Sequence, residues 1–189
     1  MNASFEPLDL VNTYGAFGSV DRERYEVILE GTSDEEPAGA RWLQYELPCM
    51  PGDPDRRPCV VTPYHYRLDW QMWFVGNAAP RGEPIDREPW LVHLVWQLLE
   101  GDAPPRSLLA RDPFPVTPPR WIRAGIWRYR FAVPHRHDDA ESNAAGEEPS
   151  IDGREEAGRW WIRQRVGEFL PPISREHPVL RRYARAYGW

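Results

Sequence analysis

From Pro89 to Gly101 the apolar residues Trp90, Leu91, Leu94, Val95, Leu98 and Leu99 recur at i, i+1, i+4, i+5, i+8 and i+9. That spacing is the stripe of an amphipathic helix, with His93, Gln97 and Glu100 on the opposite side. Asp86 or Glu88 is placed to cap its start, Pro89 suits the first turn, and Gly101 stops it. The flanking segments carry a different period. Arg24 to Glu30 alternates, with Tyr25, Val27 and Leu29 together, and Arg41 to Leu47 alternates again, with Leu43, Tyr45 and Leu47 together. Two alternating runs joined by a polar loop predict an antiparallel pair.

Further elements follow the same logic. An apolar run at Leu8 to Tyr14 with Gly15 and Gly18 at its exit reads as a strand, and Leu68 to Val75 reads as a second helix. Arg106 to Arg111 reads as a short helix before Asp112-Pro113. Two strands rich in Trp and Arg come next, Arg120 to Val133 and Arg159 to Val166. In the second, Trp160, Ile162, Gln164 and Val166 share one face, and Arg159, Trp161, Arg163 and Arg165 the other. Ser174 is the expected cap of a basic terminal helix with Val179, Leu180, Tyr183 and Tyr187 on its inner side. The order of strands, helices, strands and helix predicts an α+β chain, a sandwich-like antiparallel sheet with helices segregated to one side or end. One domain is expected over residues 1–189, with 134–158 as an acidic flexible loop inside it.

Composition narrows the function classes. A hydrophobic fraction of 41% over 189 residues is that of a folded chain. Ten Trp, eight Tyr and six Phe exceed what a core of this size needs, so some rings are expected at a contact surface. The formal charge of −6 has one source, because residues 134–158 hold eight acids against Arg136 and Arg154, which leaves the remainder neutral. Neutrality favours neither nucleic acid nor an acidic membrane as a partner. There is no Lys among the 23 basic residues. A GC-rich genome accounts for that, as would selection for stacking and bidentate contacts. No apolar run is long enough for a membrane helix, and Met1-Asn2-Ala3-Ser4-Phe5-Glu6 is not a signal peptide.

Four sets of residues carry candidate chemistry. Cys49 and Cys59 bracket a stiff, Pro-rich loop, open to a structural disulfide contributing about 3 kcal/mol, to two reduced thiols, or to a redox or metal role. Their spacing is not the CxxC of a redox motif or zinc site. His65 and Asp69, within Tyr64-His65-Tyr66-Arg67-Leu68-Asp69-Trp70, could form a base and its orienter at a small-ligand or hydrolytic site. The structural alternative pairs Arg67 with Asp69 and buries Tyr64 and Trp70. No GxSxG or other nucleophile motif accompanies them. His135 and His137 with Asp138 and Asp139 have metal-ligand types, but they lie in the acidic loop where no second shell holds them. The Trp and Arg strands could stack bases, although protein binding through exposed rings suits the neutral charge better.

The motifs, taken in order, resemble the C-terminal domain of lipase maturation factors. The resemblance begins with Phe5-Glu-Pro-Leu-Asp-Leu-Val-Asn-Thr-Tyr-Gly-Ala-Phe-Gly-Ser-Val20 and Arg22-Glu-Arg-Tyr-Glu-Val-Ile-Leu-Glu-Gly31. It is most distinctive at Pro51-Gly-Asp-Pro, Arg56-Arg-Pro and Pro63-Tyr-His-Tyr-Arg-Leu-Asp-Trp-Gln-Met-Trp-Phe74. It continues through Asp112-Pro-Phe114, Pro118-Pro119, Trp127-Arg-Tyr-Arg-Phe131, Trp160-Trp161 and Gly167-Glu-Phe-Leu-Pro-Pro172. The resemblance implies a membrane-protein chaperone of the endoplasmic reticulum that assists folding of secreted lipases, with this part on the extracytoplasmic side. It carries no catalytic residues, no cofactor and no metal, and an oxidising compartment would favour the Cys49–Cys59 disulfide. The implied partners are a secreted lipase or other exported client and the protein's own membrane-spanning part, absent from this sequence, but no nucleic acid. Trp70, Trp73, Trp121, Trp127 and Trp161 are the candidate client-binding rings. Besides the His65/Asp69 site, a second alternative is a structural cap for the membrane-spanning part. The Arg-only composition points to a microbial source, where the client need not be a dimeric lipase.

Overall fold

A computed structural model of the chain describes residues 23–60, 65–82, 84–132 and 159–189. The strand expected at Leu8 to Tyr14 and the acidic loop at 134–158 lie outside these residues, as do Tyr64, His135 and His137. The first strand, β1 (Arg24–Thr32), pairs antiparallel with the two-residue β2 (Leu43–Gln44) and with β3 (Trp121–Phe131). β4 (Trp161–Ile173) lies antiparallel beyond β3, giving the sheet order β2-β1-β3-β4. The expected pair of β1 with the Arg41–Leu47 run is therefore present, although regular pairing is confined to Leu43–Gln44. Beyond it, Tyr45 N–H donates to the Leu29 carbonyl, and Glu46 forms an isolated bridge to Arg111.

The layer packed on this sheet is helical. α1 (Arg67–Ala78) lies across β1, and α2 (Pro89–Glu100) reaches β3. The short α3 (Ala103–Arg106) and the terminal α4 (Pro178–Tyr187) pack on α2. Strand alternation does the rest. Val27 and Leu29, Ile122, Ala124 and Ile126, and Leu170 and Ile173 point into the same core as Met72, Val75, Leu91, Val95, Leu98 and Leu180. An α+β fold with helices on one side of an antiparallel sheet is thus what the sequence builds.

Two boundaries differ from expectation. The terminal helix begins at Pro178, and Ser174 is spent earlier, its Oγ accepting the Glu176 N–H and its carbonyl the His177 N–H. Pro178 at the first turn starts the helix instead. The short helix expected at Arg106–Arg111 lies at Ala103–Arg106, because Ala110 and Arg111 are drawn out to hydrogen-bond the Glu46 carbonyl. The cap of α2 is Glu88, whose carboxylate accepts from its neighbour's Trp90 indole N–H at 2.6 Å rather than from the helix backbone.

The other face of the sheet is not solvent. Ile28, Tyr129 and Trp161 form a second, smaller core there, flanked by Trp127. What covers it is the loop after β2, and that loop positions the candidate site.

Candidate functional site

Residues 47–57 fold around one guanidinium. Arg56 donates to the carbonyls of Leu47 (2.7 Å), Pro48 and Met50. With the loop turned back on itself, its own alternate carbonyls face the sheet. The Gly52 carbonyl accepts from Tyr129 O–H at 2.7 Å and from Arg163 at 2.9 Å. The Pro54 carbonyl accepts from the backbone N–H groups of Trp160 and Trp161, and the Arg56 carbonyl from the Trp161 indole at 2.9 Å. Buried backbone acceptors and buried aromatic donors thus satisfy one another. Gly52, at φ +55, makes the turn that a side chain would strain.

A disulfide closes this loop, with the Cα atoms of Cys49 and Cys59 5.2 Å apart. It is joined to α1 by a single buried carboxylate. Asp69 Oδ1 accepts the Cys49 N–H at 2.6 Å. Burial pushes the Asp69 carboxyl above its ordinary range, and the Cys49 N–H pulls it back. Asp69 is therefore a structural acceptor. It makes no ion pair with Arg67, and no hydrogen bond joins it to His65, which is exposed and lies flat on Trp70 at 4.9 Å between centroids. The base-and-orienter arrangement expected of His65 and Asp69 is not formed, because one side chain turns inward to the loop and the other outward to solvent.

That division runs along the whole of α1. Leu68, Asp69, Met72, Val75 and Gly76 are buried against β1 and the loop. The other face carries Trp70, Trp73 and Phe74, preceded by His65 and Tyr66. These rings touch one another. Trp70 meets Trp73 at 5.2 Å and Phe74 edge-on at 5.3 Å, and Trp73 meets Phe74 at 5.2 Å. Phe74 remains 40% exposed and Trp70 and Trp73 are half-buried, so these rings form a partly open aromatic cluster, with Tyr66, 56% exposed, at the helix start.

Of the five tryptophans singled out by sequence, Trp70 and Trp73 share this surface. The other three do not join it. Trp161 is buried at 4% exposure and serves the second core, so its assignment to a binding surface is corrected: a ring whose N–H is held by the Arg56 carbonyl supports the fold. Trp127 is half-buried beneath the Arg163 guanidinium at 4.7 Å, and Trp121 donates its indole N–H to the Glu35 carbonyl at 3.2 Å. Tyr66, Phe74 and His65 were the rings to add. Their spacing, i, i+4 and i+8 from Tyr66 through Trp70 to Phe74, was the available signal.

Among the described residues no group of His, Cys, Asp and Glu is placed to hold a metal ion, and no helix is long and apolar enough to cross a membrane. The architecture thus ties together the loop Pro51–Arg57, the segment His65–Phe74, the strand Trp127–Phe131 and the Trp160-Trp161 pair. The profile of the lipase maturation factor C-terminal domain matches residues 10–171. The chain belongs to the lipase maturation factor family. It is 45% identical over 192 residues to lipase maturation factor 1 of Bos taurus and 44% identical over 192 residues to that of Homo sapiens. Both comparisons cover 100% of this chain and 30% of the relative. Lipase maturation factor 2 of Homo sapiens is 36% identical over 189 residues, which is 97% of this chain and 23% of the relative. The chain therefore spans less than a third of the length of these relatives. No solved structure matches it.

Proposed function

We propose that this chain is the client-binding domain of a membrane-tethered folding factor that assists secreted lipases, and that it does so without catalytic chemistry. The observation that carries this reading is the aromatic face of α1. The exposed Tyr66 and Phe74 flank the half-buried Trp70 and Trp73 on the side of the helix turned away from the core. Aromatic anchors on a rigid helix are the chemistry of protein contacts, since they offer large area at little cost in conformational entropy. They suit the apolar surface of a client that has not finished folding, and they release it once the client buries that surface itself. Family membership supports lipases as clients. The remaining length of the relatives leaves room for the membrane-spanning part, and the disulfide supports an extracytoplasmic location like the lumen of the endoplasmic reticulum.

The test is refolding of a denatured secreted lipase with and without this chain, beside a denatured non-lipase control. The chain is expected to raise the yield of active lipase and not of the control, and Tyr66→Ser with Phe74→Ser to abolish that gain. Losing the edge contacts of Phe74 with Trp70 and Trp73 should cost about 1–2 kcal/mol, and circular dichroism should show the variant folded. An unchanged yield with the folded wild-type chain would overturn client binding by this domain and turn attention to its contact with the rest of the protein.

A further inference from the structure

α4 presents a second surface, of opposite character. Its inner side is fixed: Leu180 and Ala184 are buried, and Trp189 folds back beyond the left-handed Gly188 to stack on His93 at 4.1 Å. Its outer side is a shallow groove lined by Glu176, Pro178, Arg181, Arg182, Arg185 and Ala186. Arg181 donates to Glu176 at 2.9 Å. Arg182 and Arg185 are exposed and meet no carboxylate among the described residues. Beside them Tyr187 is 61% exposed, stacked at 5.4 Å on Trp189.

We infer that this outer face of α4, a local basic patch on a chain whose net charge by itself favours no anionic partner, docks on the anionic headgroups of a phospholipid bilayer, with Arg182 and Arg185 engaging phosphates and Tyr187 lying at headgroup level. The guanidinium fork matches phosphate oxygens bidentately. Tyr and Trp beside basic side chains are the residues that settle at a membrane–water boundary. Because the apolar side of α4 is committed to α2, the helix cannot roll over and insert. Contact is therefore electrostatic, shallow and sensitive to salt. Glu176 does not cancel the surface, since it is matched by Arg181 and leaves two guanidiniums uncompensated. The inference extends the proposed membrane tether from an attachment to an orientation, and it concerns a helix that the lipase refolding assay does not read.

The experiment is co-sedimentation of the full chain with vesicles of phosphatidylcholine alone and of phosphatidylcholine mixed with phosphatidylserine. Binding is expected for the mixed vesicles only and should fall at high salt. Arg182→Gln with Arg185→Gln should lower partitioning about thirty-fold, each basic residue near an anionic surface contributing roughly a factor of five. Circular dichroism should show the variant folded. Failure of the wild-type chain to bind mixed vesicles, or equal binding by the variant, overturns the inference. So does binding to soluble poly-glutamate in the absence of vesicle binding, which would assign the face to an acidic polypeptide.

Discussion

Glu26 stands in the middle of β1 at 1% exposure, with Arg24 donating to its Oε1 at 2.5 Å and no hydrogen-bond partner for Oε2. It borders a small apolar cavity with Val27, Leu29, Tyr45, Met50 and Met72. Burial raises its carboxyl from 4.5 to about 7, against the pull of Arg24. Over that window the folded chain keeps a proton that the unfolded chain has already released. Stability from this residue therefore falls as pH rises from about 4.5 to about 7, by about 1.4 kcal/mol per unit, and the penalty is complete above that. Glu26→Gln should remove this slope, so that urea midpoints of wild type and variant converge toward pH 4.5 and separate toward pH 8. Parallel pH profiles would refute a shifted Glu26. Alternation alone gave no hint of this burial. It set Glu26 opposite Val27 and Leu29, on the face that carries the second core and the loop from Gly52 to Arg56.

The contact between α1 and β1 is set by one missing side chain. A Cβ at Gly76 would lie 2.3 Å from the Tyr25 carbonyl oxygen, a backbone atom that cannot turn aside. Gly76→Ala should therefore destabilise the chain by about 1–3 kcal/mol or more, overriding the gain of about 1 kcal/mol that alanine brings to a helix. A raised melting temperature in this variant would mean that the helix stands farther off. The elements themselves were largely legible. The period of Trp90 to Leu99 marked α2, alternation marked β1 and the start of β4, and the Trp- and Arg-rich run marked β3. Legibility failed where side chains choose among local partners. Ser174 had two N–H groups within reach and capped a turn instead of the helix. β4 runs on to Ile173 through Gly167, Pro171 and Pro172 with shifts of register, a course that simple alternation does not follow. The aromatic face of α1 was half legible. The ring excess announced a surface, but Trp161 and Trp70 look alike in sequence, and only the carbonyl of Arg56 separates them.

Across the whole molecule, the loop from Cys49 to Cys59 is the piece on which both faces of the sheet depend. Asp69 ties it to the helical layer, and Tyr129, Trp161 and Arg163 tie it to the second core. Replacing both cysteines with serine should lower stability by about 2–3 kcal/mol, the loop-closure share of so short a ring. Amide exchange should quicken first at Met50, Gly52 and Trp161. If exchange rose uniformly instead, the loop would not be a separate unit. Sheet order has a consequence for how such a chain comes into being. Val27 faces Ile126 across the sheet, so β1 waits for a partner that is synthesised roughly a hundred residues later. Until then one hydrogen-bonding edge of β1 is unpaired, although α1 can already cover its apolar face, and the aromatic face of α1 is complete. A nascent chain of this kind, with an open strand edge and solvent-facing rings, is an aggregation hazard until β3 emerges.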